Sequence, residues 1–291
     1  MDLITAAQRG DVDGVRSILG RPNVNVNFQD RYGNTALIVA AVWNKVGIVE
    51  ILLEREAITE IKNDIGRTAL HEAAALGHVD VARLLLDHGA RIDSRTMNGN
   101  TPLMLACSDG HFDVVRLLAA RGGAEYINTR NTFYMTALIY AIHGGYVNII
   151  QFLVSFRARL NDCDVFHNTA LHRAMLGAHI VRKEVVQTLV DLGADVDVEN
   201  VHGKTALVIA AEIGHVPIVE ILCRAGTLVG LDAFGDIQNA RCRTLMEHQQ
   251  RKTIISVMMQ HLARTGVRSP LGRMQAPELY RRLLDMLVGK S

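Results

Sequence analysis

The chemistry most readily suspected in this chain lies in residues 66–78, "GRTALHEAAALGH", where His71 is followed directly by Glu72. A zinc-binding helix of the H-E-x-x-H type places its two histidines one turn apart, so that both imidazoles reach one ion from the same face. Here the next histidine is His78, seven positions on. Seven residues of helix span roughly 10 Å, too far for one zinc to bridge. Gly77 between them marks the end of the helix. The pair is therefore read as architecture, and no metal or other cofactor is expected.

The string itself recurs. Thr68-Ala69-Leu70 has counterparts at Thr35-Ala36-Leu37, Thr101-Pro102-Leu103, Thr136-Ala137-Leu138, Thr169-Ala170-Leu171 and Thr205-Ala206-Leu207. Successive threonines stand 33, 33, 35, 33 and 36 residues apart. A fixed period of this size means stacked supersecondary units, each unable to bury its apolar face alone. Each unit can be rationalised locally. A glycine before the threonine permits a tight hairpin tip, and the threonine caps a short helix. Paired alanines such as Ala73-Ala74 allow close helix approach. A second glycine turns the chain into a helix with one apolar face, here Val79, Val81, Ala82, Leu84, Leu85 and Leu86.

Residues 66–90, "GRTALHEAAALGHVDVARLLLDHGA", together with "GNTPLMLACSDGHFDVVRLLAARGGA" and "GKTALVIAAEIGHVPIVEILCRAG", resemble the ankyrin-repeat family, whose pattern is G-x-T-P-L-H-x-A-A, then G-H, then L-L-x-x-G-A. The resemblance covers roughly residues 1–235. It implies an all-α solenoid of helix-turn-helix units with β-hairpin loops, capped at both ends. It also implies that His71 and His172, and likewise His78, His111 and His215, tie neighbouring turns together. The expected organisation is an N-terminal capping repeat at 1–32, six repeats at 33–234, a degenerate closing repeat at 235–264, and a linker with an amphipathic helix at 265–291. Repeats four and five depart from the pattern. Tyr134 and His167 stand where the tip glycine belongs, two extra residues fall near Gly122-Gly123, and three more fall within 176–184.

Composition narrows the function classes. No run of 18 apolar residues occurs, so no membrane span is expected, and the first residues have no signal-peptide pattern. Cys107, Cys163, Cys223 and Cys242 are scattered without a C-x-x-C pair, which fits a reduced, intracellular protein, cytoplasmic with the nucleus left open. Residues 241–291 hold ten Lys/Arg against three Asp/Glu, whereas the whole chain carries +1. That asymmetry sets the C-terminus apart. No phosphate loop, nucleophile elbow or dinucleotide fingerprint is present, so no enzyme is expected.

Surface remains. The resemblance implies that a partner lies on the concave side, against tips and first helices. Transferred position by position, that face offers Tyr32, Trp43, Ile65, Arg67, Leu76, Met97, Asp109, Phe133 and Phe166. The single tryptophan, Trp43, serves either as a partner anchor or as packing between repeats. The partner expected is another protein bound by a monomer, and nucleic acid is not expected. An alternative is a ubiquitin-ligase substrate receptor that recruits the ligase through the helix opening at Pro277-Glu278-Leu279.

Overall fold

The computed structural model describes residues 2–176, 182–228 and 237–265, with side chains to residue 254. It contains two compact units, residues 1–194 and 195–291. In the first, helices come in pairs: α1 (Leu3–Arg9) and α2 (Val12–Leu19), α3 (Ala36–Val42) and α4 (Val46–Glu54), α5 (Ala69–Ala75) and α6 (Val79–Asp87), α7 (Pro102–Asp109) and α8 (Phe112–Ile127), α9 (Ala137–Gly144) and α10 (Val147–Ser155), and α11 (Ala170–Leu176) and α12 (Lys183–Asp191). First helices pack in the series α1, α3, α5, α7, α9, α11, and second helices in the series α2, α4, α6, α8, α10, α12. The second unit holds α13 (Ala206–Glu212), α14 (Val216–Arg224) and the 26-residue α15 (Ala240–Thr265), which packs on α14.

The first helices from α3 on are short because a threonine starts each and a turn soon ends it, and Asp2 takes the threonine's place before α1. Thr35 Oγ1 accepts from Ile38 N at 3.2 Å, and Thr101 Oγ1 from Met104 N at 3.4 Å. Ala40, Ala41, Ala73, Ala74 and Ala106 are fully buried. A larger side chain at any of them would push adjacent first helices apart. The second helices bury one face, with Val81, Ala82 and Leu85 inside on α6. Burying a leucine such as Leu85 contributes roughly 1.5–3 kcal/mol.

The turn between the helices of a pair is closed by the next pair. A Cβ added at Gly77, whose φ is 75°, would lie 2.5 Å from His111 Nδ1. The His111 ring sits over that turn and its Nε2 bonds Ala75 O at 2.9 Å, while His78 Nε2 reaches Val42 O at 3.1 Å. Glycine is required here because a ring from the following repeat occupies the place of its side chain.

The tips hold a narrow hairpin hydrogen-bond pattern, with Asp30 N donating to Asn34 O at 3.0 Å and Asn63 N to Arg67 O at 2.9 Å, but no strand is formed among the described residues. The two extra residues of repeat four extend α8 through a break at Gly123, which has φ 70° and ψ −172°. That break brings the Tyr126 hydroxyl to accept from Leu103 N at 3.2 Å. The insertion in repeat five falls largely on residues 177–181. Those residues, and the expected linker and helix beyond 265, lie outside the described ones.

Candidate protein-binding face

Each tip is shaped by a side chain five residues before the repeat threonine. Asn63 Oδ1 accepts from Ile65 N and Arg67 N at 3.3 and 2.9 Å, Asn131 Oδ1 from Phe133 N and Met135 N at 2.9 Å each, and Asp164 Oδ1 from Phe166 N and Asn168 N at 2.7 and 2.9 Å. Asp30 does the same in the first tip and Asn200 in the sixth. A short acceptor that satisfies two backbone N–H groups curls the chain and turns the intervening residues outward. Tyr32, Ile65, Phe133 and Phe166, all at the same offset, are accordingly exposed.

This row of Asp and Asn was not singled out in the sequence, although it keeps the same period as the threonines. A second such row lies one residue earlier. Gln29 Nε2 donates to Lys62 O at 3.0 Å, Lys62 Nζ to Arg95 O at 2.8 Å, and an Arg95 guanidinium nitrogen to Arg130 O at 2.8 Å. Each long side chain thus ties its tip to the next. Tip two also meets tip one through Asp64 N and Tyr32 O at 3.0 Å.

Beneath the tips, polar groups use up their hydrogen-bonding capacity internally. Thr68 N and Oγ1 face His71 Nδ1 at 3.2 and 2.9 Å, and His71 Nε2 lies 3.1 Å from Asn100 O. A ring nitrogen that accepts from a backbone N–H carries no proton, so Nε2–H is the donor to Asn100. Burial above all, with a smaller part from the Arg67 and Lys62 cations, pushes the His71 pKa down from 6.5 to about 4. Both ring nitrogens are therefore occupied, Nδ1 within repeat two and Nε2 in joining it to repeat three. Among the described residues no group of three or more His, Cys, Asp or Glu side chains is placed to hold a metal ion. Glu72 binds Arg67 at 3.2 Å and Asn63 at 3.3 Å, and the buried Asp164 carboxylate pairs with Arg173.

Of the nine positions expected to face a partner, eight are exposed and Arg67 is half-buried on Glu72. Trp43 is 52% exposed and Met97 72%. Trp43 and Leu76 follow directly on α3 and α5, which pack together, and Tyr32 and Ile65 sit on the two tips joined by the Asp64 bond. These four apolar side chains therefore belong to one pair of adjacent repeats. Phe133 and Phe166 belong to another such pair, and repeat three stands between the pairs with Met97 and an exposed Asp109.

A family model described as ankyrin repeats (3 copies) matches residues 3–96, 58–129, 91–161, 124–200 and 156–233. The chain belongs to the ankyrin-repeat family. Ankyrin repeats generally mediate protein–protein interaction, and the family is generally non-enzymatic. Similar proteins include the ankyrin repeat and KH domain-containing protein mask-1 of Caenorhabditis elegans, 31% identical over 152 residues, 47% of this chain and 6% of that protein. The zinc finger CCCH domain-containing protein 56 of Arabidopsis thaliana is 33% identical over 84 residues, 28% of this chain and 12% of that protein. The DNA replication inhibitor plutonium of Drosophila melanogaster is 32% identical over 89 residues, 31% of this chain and 49% of that protein. The matches thus span half or less of each relative. No helix among the described residues is long and apolar enough to cross a membrane.

Proposed function

We infer that this ankyrin-repeat protein is a non-catalytic adaptor that docks another protein on its tips and first-helix ends, with Trp43 as the principal anchor. The observation that carries this reading is the exposure, on two adjacent repeats, of Tyr32, Trp43, Ile65 and Leu76 together. Isolated exposed apolar residues are ordinary, but a group of them marks an interaction surface. Asp64 and Arg67 flank the group as a polar edge, in keeping with an apolar centre and a charged rim. The working picture is an intracellular monomer, cytoplasmic or nuclear, whose residues 1–32 and 235–264 close the ends of the six-repeat array. The ligase-receptor alternative depends on residues 277–291, outside the described ones, and no observation favours it.

Trp43→Ala should reduce partner affinity by about 2 kcal/mol or more, the scale of an interface hot spot. Its melting temperature should stay near that of the parent protein, because the indole is half in solvent. Affinity for a captured partner, measured by calorimetry on parent and variant, checks this, and acrylamide should quench the free indole readily. A protected indole, or unchanged affinity, overturns the assignment of Trp43 as the anchor.

A further inference from the structure

Tyr134 and His167 occupy the tip position held by Gly33, Gly66 and Gly99 in repeats one to three, and both keep its left-handed backbone, with φ of 61° and 60°. For a bulky residue such as Tyr134 that conformation is a genuine outlier. Strain of this kind persists where surrounding structure enforces it, and it gathers at binding sites. Both strained residues line one open cleft of about 590 Å³ between tips four and five, together with Arg130, Asp162, Cys163 and Val165. At the regular tips the neighbouring backbone comes close to the turn. A Cβ on Gly66 would stand 2.6 Å from Met97 N, and one on Gly99 2.9 Å from Thr132 N. A tyrosine cannot enter that spacing, and it is where Tyr134 replaces the glycine that the cleft is found.

The walls of the cleft define what it can hold. Asp162 Oδ1 takes the Arg130 guanidinium at 2.9 Å, and Asp162 Oδ2 is buried with no donor. A carboxylate only accepts hydrogen bonds, and a buried one without a donor is costly. The Tyr134 ring is 53% exposed, and the Arg130 guanidinium carbon lies 6.0 Å from its centroid, within cation–π range. Charge alone does not select the ligand, since Arg130 balances Asp162 and Arg173 balances Asp164. Selection falls to donor geometry and a flat face. A guanidinium supplies both, with forked N–H donors for a carboxylate and a planar surface for an aromatic ring, whereas an ammonium is a compact point charge.

We propose that the cleft between tips four and five receives an arginine side chain of the partner protein, its guanidinium donating to Asp162 and lying against Tyr134. This rests on the docking function inferred above, but its test needs no partner. N-acetyl-arginine amide is titrated into the full chain while backbone amide resonances are followed by NMR, with N-acetyl-citrulline amide as the uncharged match. Saturable shifts at millimolar arginine amide are expected within residues 130–135 and 161–168, with citrulline amide about fivefold weaker because its donors lack charge assistance. Asp162→Asn should erase that preference. Tyr134→Gly should raise the melting temperature by relieving the left-handed strain, yet weaken arginine amide about threefold through loss of the ring. Equal binding of the two amides, retained preference in Asp162→Asn, or unchanged affinity in Tyr134→Gly would overturn the proposal. None of those outcomes touches Trp43, so partner docking stands or falls separately.

Discussion

Tips two and three differ from tips four and five in one informative way. Gly66 and Gly99 turn with φ of 76° and 74°, and Tyr134 and His167 turn with nearly the same angles although both have a Cβ. The same internal bonds surround them, since Asn131 and Asp164 cap their tips as Asn63 caps tip two. The left-handed turn thus goes with an acceptor five residues before the threonine, whichever residue stands at the turn. What glycine adds at tips two and three is room for the next tip. Where Tyr134 stands in that place, a cleft lies between tips four and five.

The largest effect that could break this comparison is expected at Gly66. Gly66→Ala adds a Cβ to a left-handed residue and drives it against Met97 N, a backbone atom that cannot swing aside. Left-handed strain of roughly 1–2 kcal/mol and overpacking of 1–3 kcal/mol together give a loss of about 4 kcal/mol. Urea unfolding of parent and variant measures it. A loss near 1 kcal/mol would mean that tip spacing is easily adjusted and that Tyr134 did not need to open anything.

A second test uses acid. His71 is neutral in the folded protein, with its pKa lowered by burial from 6.5 to about 4. Between those values the unfolded chain binds a proton that the folded chain does not, so stability falls as pH drops from 6.5 and stops falling below 4. A gap of that width corresponds to about 3 kcal/mol. Repeat three carries Met104 at the matching position and has no such group. Hydrogen exchange at pH 4.5 should therefore show α5 losing protection before α7, and His71→Gln should flatten the dependence. Equal loss in both helices would remove His71 from this role.

The threonine period, the paired helices and the structural place of His71 were legible in the sequence because identical residues recur at a fixed spacing and each has one local task. The outward positions of Trp43, Met97 and Phe166 were legible for the same reason. Two things were missed. The Asp and Asn that shape the tips were overlooked because the position tolerates either, and Thr96 in tip three, so no single letter repeats. The cleft was not legible because it follows from a spacing between tips. The missing glycines of repeats four and five signalled it, but a missing glycine alone does not tell whether the turn is lost or held under strain.

His167 supplies the smallest and most selective test of that last point. Its φ of 60° stores strain, although histidine tolerates the left-handed region better than tyrosine does. His167→Gly removes the strain in the folded state but adds freedom to the unfolded chain, which offsets part of the gain. The net expectation is a stabilisation of about 1 kcal/mol or less, smaller than for Tyr134→Gly. Differential scanning calorimetry of the two variants, singly and combined, resolves the order. If Asp164 imposes the turn, the crystal structure of His167→Gly will keep the bonds from Phe166 N and Asn168 N to Asp164, and φ at residue 167 will remain positive. If φ turns negative once the histidine is gone, the ring itself had been holding the tip, and the order of cause between acceptor and turn would have to be reversed for tip five.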